Sequence, residues 1–123
     1  MIGQQQGSYW YLASPYSHPE SHIRRIRYER AEDALVWLLA KRIWSYSPIV
    51  HLHPLAEYHE LPKDAGFWED YNHLMISRSD GLIVLRIDGW LESKGVTEER
   101  GFATQLRKPV FDLIPMQDGF ALA

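Results

Sequence analysis

Gly81-Leu82-Ile83-Val84-Leu85 is an unbroken apolar run of strand length. A strand with one wet face alternates apolar and polar side chains, so a run without alternation reads as a strand covered on both faces. Tyr9-Trp10-Tyr11-Leu12-Ala13, stopped by Ser14-Pro15, reads as a second buried strand, and Val110-Phe111-Asp112-Leu113-Ile114 as the last. Helical spacing fills the intervals. Ile23, Ile26, Ala31, Ala34, Leu35 and Leu38 predict a helix over 17–42, with Ser17 as N-cap and Glu20 closing a capping box. Phe67, Tyr71, Leu74, Met75 and Arg78 predict another over 67–78, and Thr97–Arg107 a third, broken by Lys108-Pro109. Trp44–Val50 reads as a short strand frayed by Pro48, residues 51–65 as loop, and the residues after Ile114 as a tail.

This alternation predicts an α/β fold: one three-layer domain with a parallel sheet of four to five strands, helices on both faces and right-handed crossovers. Residues 1–8 read as a polar tail and 9–123 as the domain. Ligands of such sheets bind beyond the carboxyl ends of the strands. The site is therefore expected on Ser14–His18, Arg86–Val96 and the loop after Val50.

Composition removes several chemistries. There is no cysteine, which excludes disulfides, zinc-thiolate sites, iron–sulfur clusters and a cysteine nucleophile. The net charge of −3 argues against a nucleic-acid polymer as partner but leaves a small nucleotide open. The longest apolar run, Ala34–Ala40, is too short for a membrane span, and the polar start resembles no secretory signal. A cytoplasmic location is expected. His51-x-His53, with His59 nearby, would place two imidazoles on one side of an extended segment, but no acidic pattern accompanies them and no metal is expected there.

Two segments carry a resemblance. Tyr9-Trp10-Tyr11-Leu12-Ala13-Ser14-Pro15-Tyr16 resembles the opening strand and loop of the nucleoside 2-deoxyribosyltransferase-like superfamily. Ser93-Lys94-Gly95-Val96-Thr97-Glu98-Glu99-Arg100-Gly101-Phe102-Ala103 resembles its Glu-x-Gly-x-Ala signature. Lys108-Pro109-Val110 matches the start of its last strand, and the likeness runs in order over 9–113. It is closest to a small bacterial and phage branch. The resemblance implies a flavodoxin-like (Rossmann-like) fold, a homo-oligomer, and cleavage or transfer at the N-glycosidic bond of a nucleoside or nucleotide. It implies a glutamate nucleophile and no cofactor.

Glu99 takes the nucleophile's place in that pattern. A carboxylate can attack the anomeric carbon as an oxocarbenium-like cation forms, giving a covalent glycosyl intermediate. In the first turn of a helix the dipole would hold it ionised. Tyr11 stands where the family has a tyrosine bonded to that carboxylate; as a strand aromatic it also reads as core. Ser14 and Tyr16 follow the first strand and are candidate substrate contacts. Ser93 and Gly95 open the Glu99 helix, whose free N–H groups suit an anion. Serine at the Ser93 position resembles hydrolases of nucleoside 5′-monophosphates. Their phosphate-binding arginine has no counterpart in the first loop, and Arg24 or Arg25 is the substitute to consider. Asn72 stands where aspartate is usual. Asp88 reads as a residue assisting base departure or as a plain Asp-Gly turn, and Trp90 as a base-stacking surface or core. The alternative function is a catalytically inactive module that binds or senses a nucleotide.

Overall fold

A computed structural model describes residues 7–59, 61–62 and 65–123; residues 1–6 of the expected tail lie outside them. The described chain runs β1 (Trp10–Ala13), α1 (Ser21–Ala40), β2 (Ser45–Tyr46), α2 (Pro48–Tyr58), α3 (Ala65–Ser77), β3 (Gly81–Leu85), α4 (Lys94–Gln105), β4 (Val110–Met116), β5 (Gly119–Leu122). The five strands form one sheet in the order β2-β1-β3-β4-β5. The first three pairings are parallel and β4–β5 is antiparallel. The protein is a mixed α/β domain with a mostly parallel sheet. None of its described helices is long and apolar enough to cross a membrane.

Strand alternation sorts the core into two clusters. Trp10 and Leu12 of β1 join Ile83 and Leu85 of β3 against Ala31, Ala34 and Leu38 of α1. Tyr11 and Ala13 join Leu82 and Val84 against Ile76 of α3 and Val96 and Ala103 of α4. Successive side chains point to opposite faces of a strand. Both faces of β1 and β3 are therefore apolar because both are covered, as the unbroken runs required.

The chain order also places the site. From β1 it crosses to β2 on one side, and from β3 to β4 on the other. The two connections diverge between the carboxyl ends of β1 and β3, which opens a crevice there.

Several elements depart from the expectations, each for a local reason. Helix α1 begins at Ser21, with Glu20 as N-cap and no side-chain cap, so Ser17 caps nothing. His18 precedes Pro19 and is biased away from helical backbone, and its Nδ1 accepts from the Glu20 N–H at 3.0 Å. The strand expected over 44–50 is only Ser45–Tyr46. Pro48 does not fray a strand; it occupies the first position of α2, where its missing N–H costs nothing. Ser47 caps that helix, its hydroxyl accepting from Val50 N–H at 3.1 Å. Residues 51–58, expected as loop, are thus helical. His51 and His53 then point about 200° apart rather than to one side. Helix α4 starts at Lys94, three residues earlier than expected, with Ser93 as N-cap. The expected tail folds back as β5 through a turn in which Gly119 takes φ +97.

Candidate active site

The crevice at the carboxyl ends of β1 and β3 is a cleft of about 1170 Å³. It is larger than the roughly 300–1,000 Å³ of common small-molecule sites. The loop after β1 forms one edge and the loop after β3 with the start of α4 another. Helices α2 and α3 supply facing walls.

Glu99 lines this cleft from the second turn of α4 and is only 8% exposed. Tyr11, fully buried on β1, donates its hydroxyl to Glu99 Oε2 at 2.5 Å. The strand's alternation turns Tyr11 toward α4, and the α4 register turns Glu99 toward both the phenol and the cleft. Burial raises the Glu99 pKa from 4.5 to about 7; the Tyr11 hydrogen bond works against that rise and the neighbouring Glu98 adds to it. Burial, then the Glu99 charge, pushes the Tyr11 phenol well above its usual value, so it stays a donor. The expected electrostatics are corrected here. Glu99 lies in the second turn rather than the first, and desolvation lifts its pKa to about 7, so the carboxyl titrates near neutral pH rather than staying firmly ionised.

An anion-accepting wall adjoins it. Ser93 Oγ accepts from Val96 N–H at 3.1 Å, which leaves its O–H able to donate outward. The first N–H groups of α4, at Lys94 and Gly95, have no carbonyl within the helix to bond, and both residues line the cleft. Arg24 and Arg27 of α1 reach the same cleft. Arg24 Nη1 donates to the carbonyls of His18 and Pro19, and Arg27 Nη1 donates to that of Ser17 at 2.8 Å. Arg25 instead pairs with Glu29 at 3.4 Å on an exposed face. The first loop thus lacks an arginine but is gripped by two from the following helix.

Ser14, Tyr16 and Asn72 also line the cleft. Among the described residues, the buried Ser14 hydroxyl and the buried Asn72 Oδ1 have no hydrogen-bond partner. Tyr16 bonds through its hydroxyl to His53 Nδ1, and Tyr28 lies against the same imidazole with centroids 4.4 Å apart. Arg27 escaped the sequence reading, and His53 was weighed there only as half of a metal pair, not as a wall of the cleft. Ser47-Pro48, a capping residue before a first-turn proline, was the signal that would have built α2 and aimed His53 inward.

Asp88 and Trp90 are not brought to the cleft. The backbone turns at Ile87–Trp90, where Trp90 N–H bonds Ile87 O at 3.0 Å and Gly89 takes φ +94. That turn leaves Asp88 exposed and packs Trp90, half-buried, against the core cluster that holds Tyr11, Val84 and Val96. The Arg86 guanidinium sits 4.5 Å from the Trp90 ring. Gly89 meets the cleft instead. A Cβ there would fall 2.3 Å from Arg27 Nη2, the movable end of a long side chain, so it is the φ of +94 that calls for glycine.

Residues 8–114 match the model of a family described as a domain of unknown function, DUF1937. The chain belongs to the DUF1937 family. The match spans β1 to most of β4, so Tyr11, Ser14, Ser93 and Glu99 all belong to the DUF1937 domain, and β5 lies beyond it. Among curated proteins none matches this chain.

Proposed function

We propose that this DUF1937 domain cleaves or transfers at the N-glycosidic bond of a (deoxy)nucleoside 5′-monophosphate, in a three-layer flavodoxin-like fold related to the nucleoside 2-deoxyribosyltransferases. The observation that carries this reading is the buried Tyr11–Glu99 hydrogen bond at the wall of a cleft with an anion-accepting side. In this reading Glu99 attacks the anomeric carbon. A carboxylate–carbon bond forms as the carbon–nitrogen bond breaks, and the base leaves with the electron pair and takes a proton from solvent. Water or a second base then displaces Glu99 from the sugar. Tyr11 holds the attacking carboxylate and stabilises its ionised form. Arg24, Arg27, Ser93 and the N–H groups of Lys94 and Gly95 receive the 5′-phosphate. Ser14 and Asn72, with unpartnered oxygens, meet the sugar and base. A homo-oligomer belongs to the same proposal; Phe67 and Leu74 on α3 are exposed apolar side chains that a neighbouring chain would cover.

A second reading, a nucleotide-binding module without turnover, is favoured by one observation. Asn72, unlike the aspartate usual there, cannot deliver a proton to the leaving base.

Chromatography of a nucleotide panel decides between them. Release of free base by the native protein, lost in Glu99→Ala, supports catalysis. Tight nucleotide binding with no release supports the module. A second base added to the mixture separates transfer, which yields a new nucleoside 5′-monophosphate, from hydrolysis, which yields sugar phosphate.

A further inference from the structure

We infer that the cleft takes a nucleotide whose base already carries a positive charge, an N-alkylated ring of the pyridinium class, so that cleavage releases a neutral base without a proton donor. The inference rests on the glycosidic reading above and names its substrate class. The permanent cations lining the cleft are Arg24, Arg27 and Lys94, at the first helix and the start of α4, where that reading places the phosphate. Five carboxylates line the same cleft, on α2, α3, α4 and the loop before α4. One of them, Glu98, is met by His73; the surplus stands with that pair set aside. A bound phosphate adds about two more negative charges. The arginines answer the phosphate, and the carboxylates are left facing the rest of the ligand. A neutral base offers them nothing, whereas a cationic one complements them.

Helix α3 supplies the surface for the base. Trp68 and Asn72 lie four residues apart, on one helix face, and both line the cleft. An indole face attracts a cationic ring. The Asn72 amide hydrogen-bonds but has no proton to give up. Across the cleft on α2, the His53 Nδ1 is engaged by the Tyr16 hydroxyl, and Tyr28 covers the ring. Ser14 is only 7% exposed and its hydroxyl has no partner among the described residues, so the cleft is built for a polar ligand. The chemical step balances without an acid. The Glu99 carboxylate bonds to the anomeric carbon as the carbon–nitrogen bond breaks. The electron pair of that bond returns to the ring nitrogen and cancels its charge, so the base departs neutral. Water then takes the sugar, loses a proton to solvent and frees Glu99 as a carboxylate. An uncharged base would depart as an anion and would need a proton that Trp68 and Asn72 do not supply.

The test is chromatography of base released by the native protein from nicotinamide mononucleotide and its 2′-deoxy analogue, beside adenosine and cytidine 5′-monophosphates of both sugars. The pyridinium nucleotides are expected to show kcat/KM at least about 100-fold higher. A pyridinium is also the better leaving group by its own chemistry, so recognition is read separately. The reduced, dihydropyridine form of the mononucleotide has nearly the same size and no ring charge. As a competitor it is expected to bind about tenfold more weakly than the pyridinium form. Trp68→Leu is expected to erase most of that difference, a ratio that a merely loosened fold would not move. Where base is released, equal or faster release from the neutral-base nucleotides, or equal binding of the two redox forms, overturns the inference and leaves the glycosidic reading standing. No release from any of these nucleotides overturns both.

Discussion

The Tyr11 phenol and the Glu99 carboxyl meet at 2.5 Å although 88 residues separate them in sequence. Neither is solvent-accessible to any extent that would explain a polar pair inside the sheet–helix interface. Their contact ties β1 to the helix that forms the cleft wall. It also gives a desolvated acid one donor that favours its ionised form.

Tyr11→Phe removes that donor and leaves the ring in place. A buried charge-assisted hydrogen bond contributes about 1.5–3 kcal/mol, so base release is expected to fall roughly 10–100-fold. Because the bond lowers the Glu99 pKa, the rising limb of the pH–rate profile is expected to move to higher pH. A rate profile with an unmoved limb would separate Tyr11 from the chemistry.

Glu99 links stability to pH. Its folded pKa of about 7 stands above the 4.5 of a free carboxyl, so the folded state holds this proton more tightly than the unfolded one. Below pH 4.5 the group costs nothing; the penalty grows as pH rises and is complete above about 7. The full shift corresponds to roughly 3 kcal/mol. Glu99→Gln does not titrate, and its stability advantage over the native protein is expected to grow by about that much from pH 4 to pH 8. Urea melts at both pH values, with a chelator present, check it. The neighbouring Tyr11 and Glu98 remain in both proteins, so the difference isolates Glu99.

Arg27 is expected to read the 5′-phosphate. Arg27→Met keeps much of the aliphatic stem and removes the charge. A lost charged hydrogen bond of about 1.5–3 kcal/mol raises KM roughly 10–100-fold for a nucleotide, with little change in kcat and none for the unphosphorylated nucleoside. Equal losses for both substrates would count against a phosphate role.

Two glycines are expected to respond oppositely to alanine. Gly89→Ala meets Arg27 and strains a left-handed backbone at φ +94, for a loss of about 1–3 kcal/mol and a weaker nucleotide site. Gly101 lies inside α4, and a Cβ there meets nothing within 4 Å. Gly101→Ala is expected to stabilise the domain by about 1 kcal/mol. Denaturant midpoints of the two variants give the signs directly.

The parts of the fold that were legible are those whose local pattern has one reading. The apolar runs at Tyr11–Ala13 and Gly81–Leu85 are flanked by stops and covered on both faces, so periodicity sufficed. Ser47-Pro48 was ambiguous, because proline ends a strand as readily as it starts a helix, and the apolar Ile49-Val50 beside it favoured the strand. Asp118-Gly119 carried a turn signal for β5, but the short strand after it depends on pairing with β4 and has little pattern of its own. In the site, Glu99 and Ser93 lay in the segment that carries the family resemblance and were singled out by it. Arg27 and His53 converge from separate helices, a relation no local window contains. Trp90 illustrates the reverse: its neighbours in sequence approach the cleft, and one positive-φ glycine turns the ring into the core.

Arg24 and Arg27 are tethered to the carbonyls of residues 17–19, so two of the longest side chains in the protein have surrendered their rotational freedom during folding. A ligand arriving at that wall has less entropy to remove than it would at a pair of loose arginines. Discrimination there falls on shape: an anion that fits between fixed guanidiniums binds with little rearrangement, and one that does not must first break the loop that holds them.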